Sequence, residues 1–229
     1  MANPLTTAKL IEKLAARNRV VLLGGLAVIS HGLSRSTYDA DVWLDPELDS
    51  ARWAEVVLEL KNEFPELRCL VIAVWSEIPD DELVTIIERD GVVRLMGASQ
   101  PLDIFRKPNE LPIEEFNDAW ERAQPLVDGT RLPDEIDLLM TKQLTGREKD
   151  TLDIGFLENK AQNRYLQELP SASEARAIQM VERFLTPKVA EAALAHSAEA
   201  VRQLGMRYLR ELAHDGDPFA AEILRSLQL

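Results

Sequence analysis

Two aspartates one residue apart, Asp39 and Asp41, carry the clearest chemical signal in this 229-residue chain. They lie in the alternating stretch "YDADVWLD", where Ala40, Val42 and Leu44 point one way and Asp39, Asp41 and Trp43 the other. Carboxylates leaving one face of a strand repel each other, and a divalent cation relieves that repulsion. Oxygen ligands of this kind suit magnesium, which keeps room for substrate phosphates. The same spacing also describes a solvated strand face. Upstream, Gly24-Gly25 separates "RVVLL" from "GLAVISH". Glycines there either let backbone N–H groups approach a phosphate at a helix start or simply make a tight strand-to-helix turn. Neither G-x-x-x-x-G-K-[ST] nor G-x-G-x-x-G is present. Downstream, Lys142, Arg147 and Lys149 are the densest basic cluster after the D-x-D strand. They would offset the roughly four negative charges of a triphosphate, or else belong to an exposed helix laced with ion pairs.

The elements that must position these residues follow from periodicity. Thr6 or Thr7 caps a helix with Leu10, Ile11, Leu14 and Ala15 on one stripe. Val20–Leu23 reads as a buried strand, followed by a helix that starts at the glycines and stops at Gly32. Residues 51–63 read as a helix burying Trp53, Val56, Val57 and Leu60. "LRCLVIAVW" and "PLDIF" read as strands, and "LVTIIERDGVVRLM" as two strands joined at Asp90-Gly91. Residues 113–123 read as a helix, "PLVDGTRL" as a second hairpin, and 134–167 as helices broken near Gly146. The tail is helical. Ser171 and Glu174 fit a capping box, Val201, Leu204, Tyr208, Leu209 and Leu212 form a stripe, and Asp217-Pro218 opens a last helix carrying Phe219, Ile223, Leu224 and Leu227. The expected fold is α+β: a mixed-sheet core over residues 1–168 and an all-α extension over 169–229.

Charge supports that division. Residues 171–229 hold seven Lys/Arg and eight Asp/Glu, so nearly all of the net charge of −13 belongs to the first 170 residues. Such a chain is not a general nucleic-acid-coating protein, because phosphate neutralisation needs a basic surface. No apolar run reaches the roughly 18–20 residues that span a membrane, and "MANPLTTAKLIEKL" lacks the order of a signal peptide. Cys69 is the only cysteine, which excludes an intrachain disulfide. A cytoplasmic protein without membrane partners is expected.

A strand, a glycine pair, a helix and a strand bearing D-x-D resemble the DNA polymerase β-like nucleotidyltransferase superfamily in "GGLAVISHGLSRSTYDADVWL". "DLLMTKQLTGREKDTLDIGFL", Asp137 to Leu157, is similar to the corresponding region of abortive-infection (AbiEii-type) toxins. Together the resemblance covers roughly residues 18–160. It implies that Gly24 and Gly25 face a nucleoside triphosphate, and that Asp39 and Asp41 hold magnesium or manganese. It implies a third carboxylate from a later strand, Asp103 in "QPLDIF", with Glu88 as its rival. Lys142 would meet phosphates, with Arg147, Asp150 and Asp153 in the same nucleotide-binding region. Arg35 would either reach a phosphate or pair with Asp39. His31 reads as a packed or solvent-edge residue, and Trp43 and Tyr38 as packing residues more than base-stacking ones. The implied reaction moves a nucleoside monophosphate to RNA, a small molecule or a protein and releases pyrophosphate, with an antitoxin-like protein as a partner. A non-catalytic binding or regulatory protein of the same fold and a metal phosphohydrolase are the alternatives.

Overall fold

The computed structural model describes residues 5–108, 115–143 and 146–227. The expected helix start at Ile113 and the side chain of Lys149 lie outside the described residues. The strands are β1 (Val20–Leu23), β2 (Ala40–Leu44), β3 (Arg68–Leu70), β4 (Val92–Met96), β5 (Leu102–Phe105), β6 (Gln124–Pro125) and β7 (Arg131–Leu132). They form one mixed sheet in the order β3-β4-β5-β2-β1-β7-β6. The helices of the first part are α1 (Thr7–Ala15), α2 (Gly24–Ser30), α3 (Ser50–Glu63), α4 (Leu83–Asp90), α5 (Glu115–Arg122) and α6 (Glu135–Gln143). Then come α7 (Thr151–Glu168), α8 (Glu174–Arg183), α9 (Pro187–Leu194), α10 (Glu199–His214) and α11 (Pro218–Leu227). The architecture is therefore α+β with a helical C-terminal region.

Alternation along the central strands sorts their side chains onto two faces. Antiparallel β1–β2 pairing sets Val21 against Trp43 and Leu23 against Asp41. Parallel β2–β5 pairing sets Asp41 against Asp103 and Trp43 against Phe105. These residues share one face, and its two ends differ. At one end Val21, Leu23 and Trp43 pack on Phe116 and Ala119 of α5, with the Trp43 and Phe116 rings edge to face at 5.0 Å. Burying a side chain such as Phe116 contributes about 1.5–3 kcal/mol. At the other end are the aspartates. The opposite face carries Val20, Leu22, Val42, Leu44, Leu102 and Ile104, all buried, so β2 has polar side chains only where the site lies.

Two expectations fail for one reason. Residues 83–90 are helical, and Asp90-Gly91 ends that helix instead of turning a hairpin. Leu83, Ile86 and Ile87 are buried at helical spacing, and Gly91, at φ +64°, is the left-handed C-cap that lets the chain reverse into β4. Asp128-Gly129 does turn a hairpin, between β6 and β7. "LRCLVIAVW" keeps strand structure only over Arg68–Leu70. The α8 cap is Ser173, which accepts from the Arg176 N–H, so Ser171 and Glu174 make no capping box. Thr6 caps α1, and α2 starts at Gly24 as expected.

The chain falls into two compact units, Met1–Ile154 and Gly155–Leu229. The division lies within α7, and the boundary at 168/169 read from sequence lies at that helix's C-terminal end. In the second unit α10 packs on α9 and α11. Ala190, Leu209 and Ala220 meet there, with Tyr208 and Leu212 of the expected stripe against them. Gly205 permits the close α9–α10 approach: a Cβ there would sit 2.6 Å from the Ala190 carbonyl oxygen. Phe219, expected on the apolar side of α11, is exposed. Among the described residues no helix is long and apolar enough to cross a membrane.

Candidate functional site

A cavity of about 580 Å3 opens at the polar end of the central strands. Asp39, Asp41 and Asp103 all line it, each with a carboxylate oxygen within 4.8 Å of the others. The β2–β5 register brings Asp41 and Asp103 side by side, and Asp39 precedes β2 on the same face. Glu88 is exposed on α4 and is not in this cluster.

The three carboxylates differ in partners. Asp103 is buried, and Arg94 of β4 donates to both its oxygens at 2.6 Å. Arg94 also reaches Asp39 Oδ2 at 3.4 Å, and Thr37 Oγ1 lies 3.4 Å from Asp39 Oδ1. No described residue donates a hydrogen bond to the Asp41 carboxylate. Burial, then repulsion from Asp39 and Asp103, raises the Asp41 pKa from 3.8 to about 7, against a smaller opposing pull from Lys142 and Arg147. Burial also raises the Asp103 pKa, although Arg94 opposes it. The cluster is thus short of positive charge at Asp41.

Gly24 is needed here for two reasons. Its φ is +56°, and a Cβ on it would collide with Asp41 Oδ2. A Cβ on Gly25 would collide with Thr37 Oγ1. The two glycines therefore let the chain's own segment 35–41 close against the start of α2, and both border the cavity.

A second cluster, which includes cations, borders the same cavity and bears on Asp41. Lys142, on α6, is buried, with Nζ 3.2 Å from Asp150 Oδ1 and 3.0 Å from Asp153 Oδ2. Arg147 Nε meets Asp150 Oδ2 at 2.7 Å, and Arg35 Nη2 meets Asp153 Oδ2 at 2.8 Å. Asp150 and Asp153 thus each tie two cations, three cations in all. Arg35 pairs with Asp153 and not with Asp39, and its Nε is buried without a hydrogen-bond partner. Lys142 is not on an exposed ion-paired helix face. His31 Nε2 lies 2.9 Å from the Pro133 carbonyl oxygen, and Trp43 is packed in the core.

Sequence reasoning missed Arg94. The signal was a single charge in the apolar run "VVRLM", whose flanking Val93 and Leu95 are fully buried. A charged residue inside a buried strand requires a carboxylate beside it, and Asp103 is its register partner.

No protein-family model matches the sequence, and no curated protein matches it. Among solved structures, the chain is similar to terminal uridylyl transferase 4 from Trypanosoma brucei with bound GTP. The identity is 13% and the TM-score 0.32, over 93% of this chain. The chain spans 65% of the length of that structure's chain.

Proposed function

We propose that the chain is a nucleotidyltransferase, moving a nucleoside monophosphate from a triphosphate to an acceptor hydroxyl. The observation that carries this reading is the juxtaposition, in one cavity, of three clustered carboxylates and a separate cation cluster. A divalent ion fits the first cluster on its chemistry. The donors are all carboxylate oxygens within 4.8 Å, and burial and its two neighbours disfavour the ionised form of Asp41, a penalty that a bound cation would relieve. Asp39, Asp41 and Asp103 would hold magnesium or manganese. When bound, the ion supplies charge at the α-phosphate and lowers the pKa of the attacking hydroxyl.

The remaining roles fall to the chain. Lys142 and Arg147 line the same cavity and bear on Asp41, and would meet the β- and γ-phosphates. Asp150 and Asp153 orient those cations, and Arg35 adds a third. Asp103 keeps a second lone pair on each oxygen and has a raised proton affinity, which suits a base. The acceptor oxygen bonds to the α-phosphorus as the bond to the β-phosphate oxygen breaks. The electron pair leaves with pyrophosphate, and the hydroxyl proton passes to Asp103.

The test is incubation with each α-labelled triphosphate and magnesium, with RNA, hydroxylated small molecules and cell-extract protein as acceptors. Label on an acceptor together with released pyrophosphate is expected. Orthophosphate release would establish a phosphohydrolase instead. A non-catalytic reading draws on Arg94, which occupies both Asp103 oxygens. It predicts thermal stabilisation by magnesium and triphosphate with no product. In its finer form the proposal makes the chain a toxin with an antitoxin-like partner. Expression of the wild type should then arrest growth and Asp41→Asn should not; arrest by both would remove that form.

A further inference from the structure

Trp75 is the only described non-glycine residue with a positive φ, +57°. A bulky L-residue adopts that conformation only where its surroundings enforce it. A tight loop does so here. The Trp75 N–H donates to the Val71 carbonyl at 2.8 Å, the Val71 N–H donates to the Ser76 carbonyl at 2.9 Å, and Leu70 bridges Glu77. The outcome is not burial: 53% of Trp75 is exposed, against 2% of Trp43 and 0% of Trp53. Its ring centroid lies 4.8 Å from the Arg94 guanidinium carbon, and Arg94 is itself fixed by its two bonds to Asp103. The indole is thus an open aromatic surface held against the arginine that pairs with Asp103.

Its place across the sheet identifies what it would meet. From β1 to β4, Gly24 adjoins Asp41, Asp41 is in register with Asp103, Asp103 is in register with Arg94, and Trp75 lies over Arg94. Lys142 is on α6, which packs against α2, the helix that follows β1. In-line phosphoryl transfer puts the leaving group and the attacking oxygen on opposite sides of the phosphorus. Lys142 and Arg147 bear on Asp41, whereas Arg94 bears on Asp103, so the attacking group enters from the β4 side, where Trp75 lies over Arg94. A chain of net charge −13 has little to hold a phosphate backbone, whereas stacking needs no charge. The geometry points to Trp75, backed by Arg94, as a stacking platform for a nucleobase next to the acceptor's attacking hydroxyl, an inference that rests on the nucleotidyl-transfer reading. The acceptor is then a nucleoside, either a free mononucleotide or the 3′ end of an oligonucleotide.

Equilibrium dialysis of labelled AMP and of a short oligoadenylate against the full-length chain tests this without any turnover. Trp75→Leu keeps apolar bulk and should weaken binding on the order of tenfold, the scale of one lost base–aromatic stack. Trp75→Phe keeps an aromatic face and should stay within about threefold of wild type. Both variants should melt with the wild type and keep its thermal shift with magnesium and triphosphate. Tighter binding of the oligoadenylate identifies a chain end as the source, and equal binding a mononucleotide. Failure of the wild type to bind either probe overturns the proposal, as does equal binding by Trp75→Leu. A lowered melting temperature in both variants would make Trp75 a cover for the Arg94–Asp103 pair, which also overturns it. Nucleoside binding that depends on Trp75, in a protein showing no transfer with any triphosphate, would instead sink the nucleotidyl-transfer reading and leave the platform standing.

Discussion

Replacing Asp41 by asparagine separates a metal-holding carboxylate from a structural one by the sign of two effects. The substitution keeps size and removes one charge from a cluster in which Asp41 has no described hydrogen-bond donor. In the wild type the Asp41 pKa rises from 3.8 in a free side chain to about 7. Each unit corresponds to about 1.36 kcal/mol, so the folded protein carries a penalty of at most about 4 kcal/mol when Asp41 is ionised. Asp41 keeps some contact with solvent, and screening reduces the expected figure to about 2–4 kcal/mol. The pH window follows from the direction of the shift. As pH rises, the unfolded chain loses this proton near its ordinary pKa while the folded chain holds it until about pH 7. Stability therefore falls between about pH 4 and pH 7 and is flat above. Asparagine does not titrate and lacks this slope. Asp103, also raised by burial, is present in both proteins and to first order drops out of the difference.

The assay is thermal and urea unfolding of both proteins in chelator, from about pH 5 to about pH 8. The variant should be the more stable at the alkaline end, and the gap should close toward acid. Adding magnesium should stabilise the wild type more than the variant, because a neutral amide is a poor ligand for a hard dication. Transfer activity should fall by roughly 10²-fold or more. Parallel pH–stability curves, or a variant less stable at every pH, would refute the electrostatic reasoning. A variant keeping the full magnesium-induced shift would show that Asp41 is not a ligand.

Two further substitutions test the frame around the cluster. Gly24→Ala places a methyl group against Asp41 Oδ2 at φ +56°; it should cost about 1–3 kcal/mol in urea unfolding, and a neutral effect would mean the segment relaxes freely. Lys142→Met removes a buried cation from two buried carboxylates; a loss of about 3–5 kcal/mol is expected, and a change below about 1 kcal/mol would show that Arg35 and Arg147 suffice to hold Asp150 and Asp153.

Local signals carried the first half of the site. A β-branched run, two glycines and an alternating D-x-D strand each act within a few residues, so β1, α2 and β2 were legible without any partner. The Asp-Gly pairs show where local reading stops. Asp90-Gly91 and Asp128-Gly129 are the same dipeptide, and both glycines take positive φ. One caps a helix and the other turns a hairpin, because the preceding apolar residues recur at helical spacing in the first case only. Leu83, Ile86 and Ile87 held that information, but the β-branched residues Val84, Thr85, Ile86 and Ile87 concealed it.

The second half of the site depends on register, which no local pattern encodes. Asp103 meets Asp41 because β5 pairs in parallel with β2, a strand about sixty residues earlier in the chain. A shift of one residue would turn Asp103 to the buried face that holds Leu102 and Ile104. Arg94 is what such a shift would strand: the residue is 7% exposed, and its guanidinium has its two short bonds to Asp103 alone. An unpaired buried guanidinium costs several kcal/mol, so the Arg94–Asp103 pair selects the register that also brings Asp103 to Asp41. The residue overlooked in the sequence is thus the one that aligns the residues found there. The raised pKa of Asp41 follows from that alignment, since Arg94 neutralises its register partner and no described donor reaches the next strand's carboxylate.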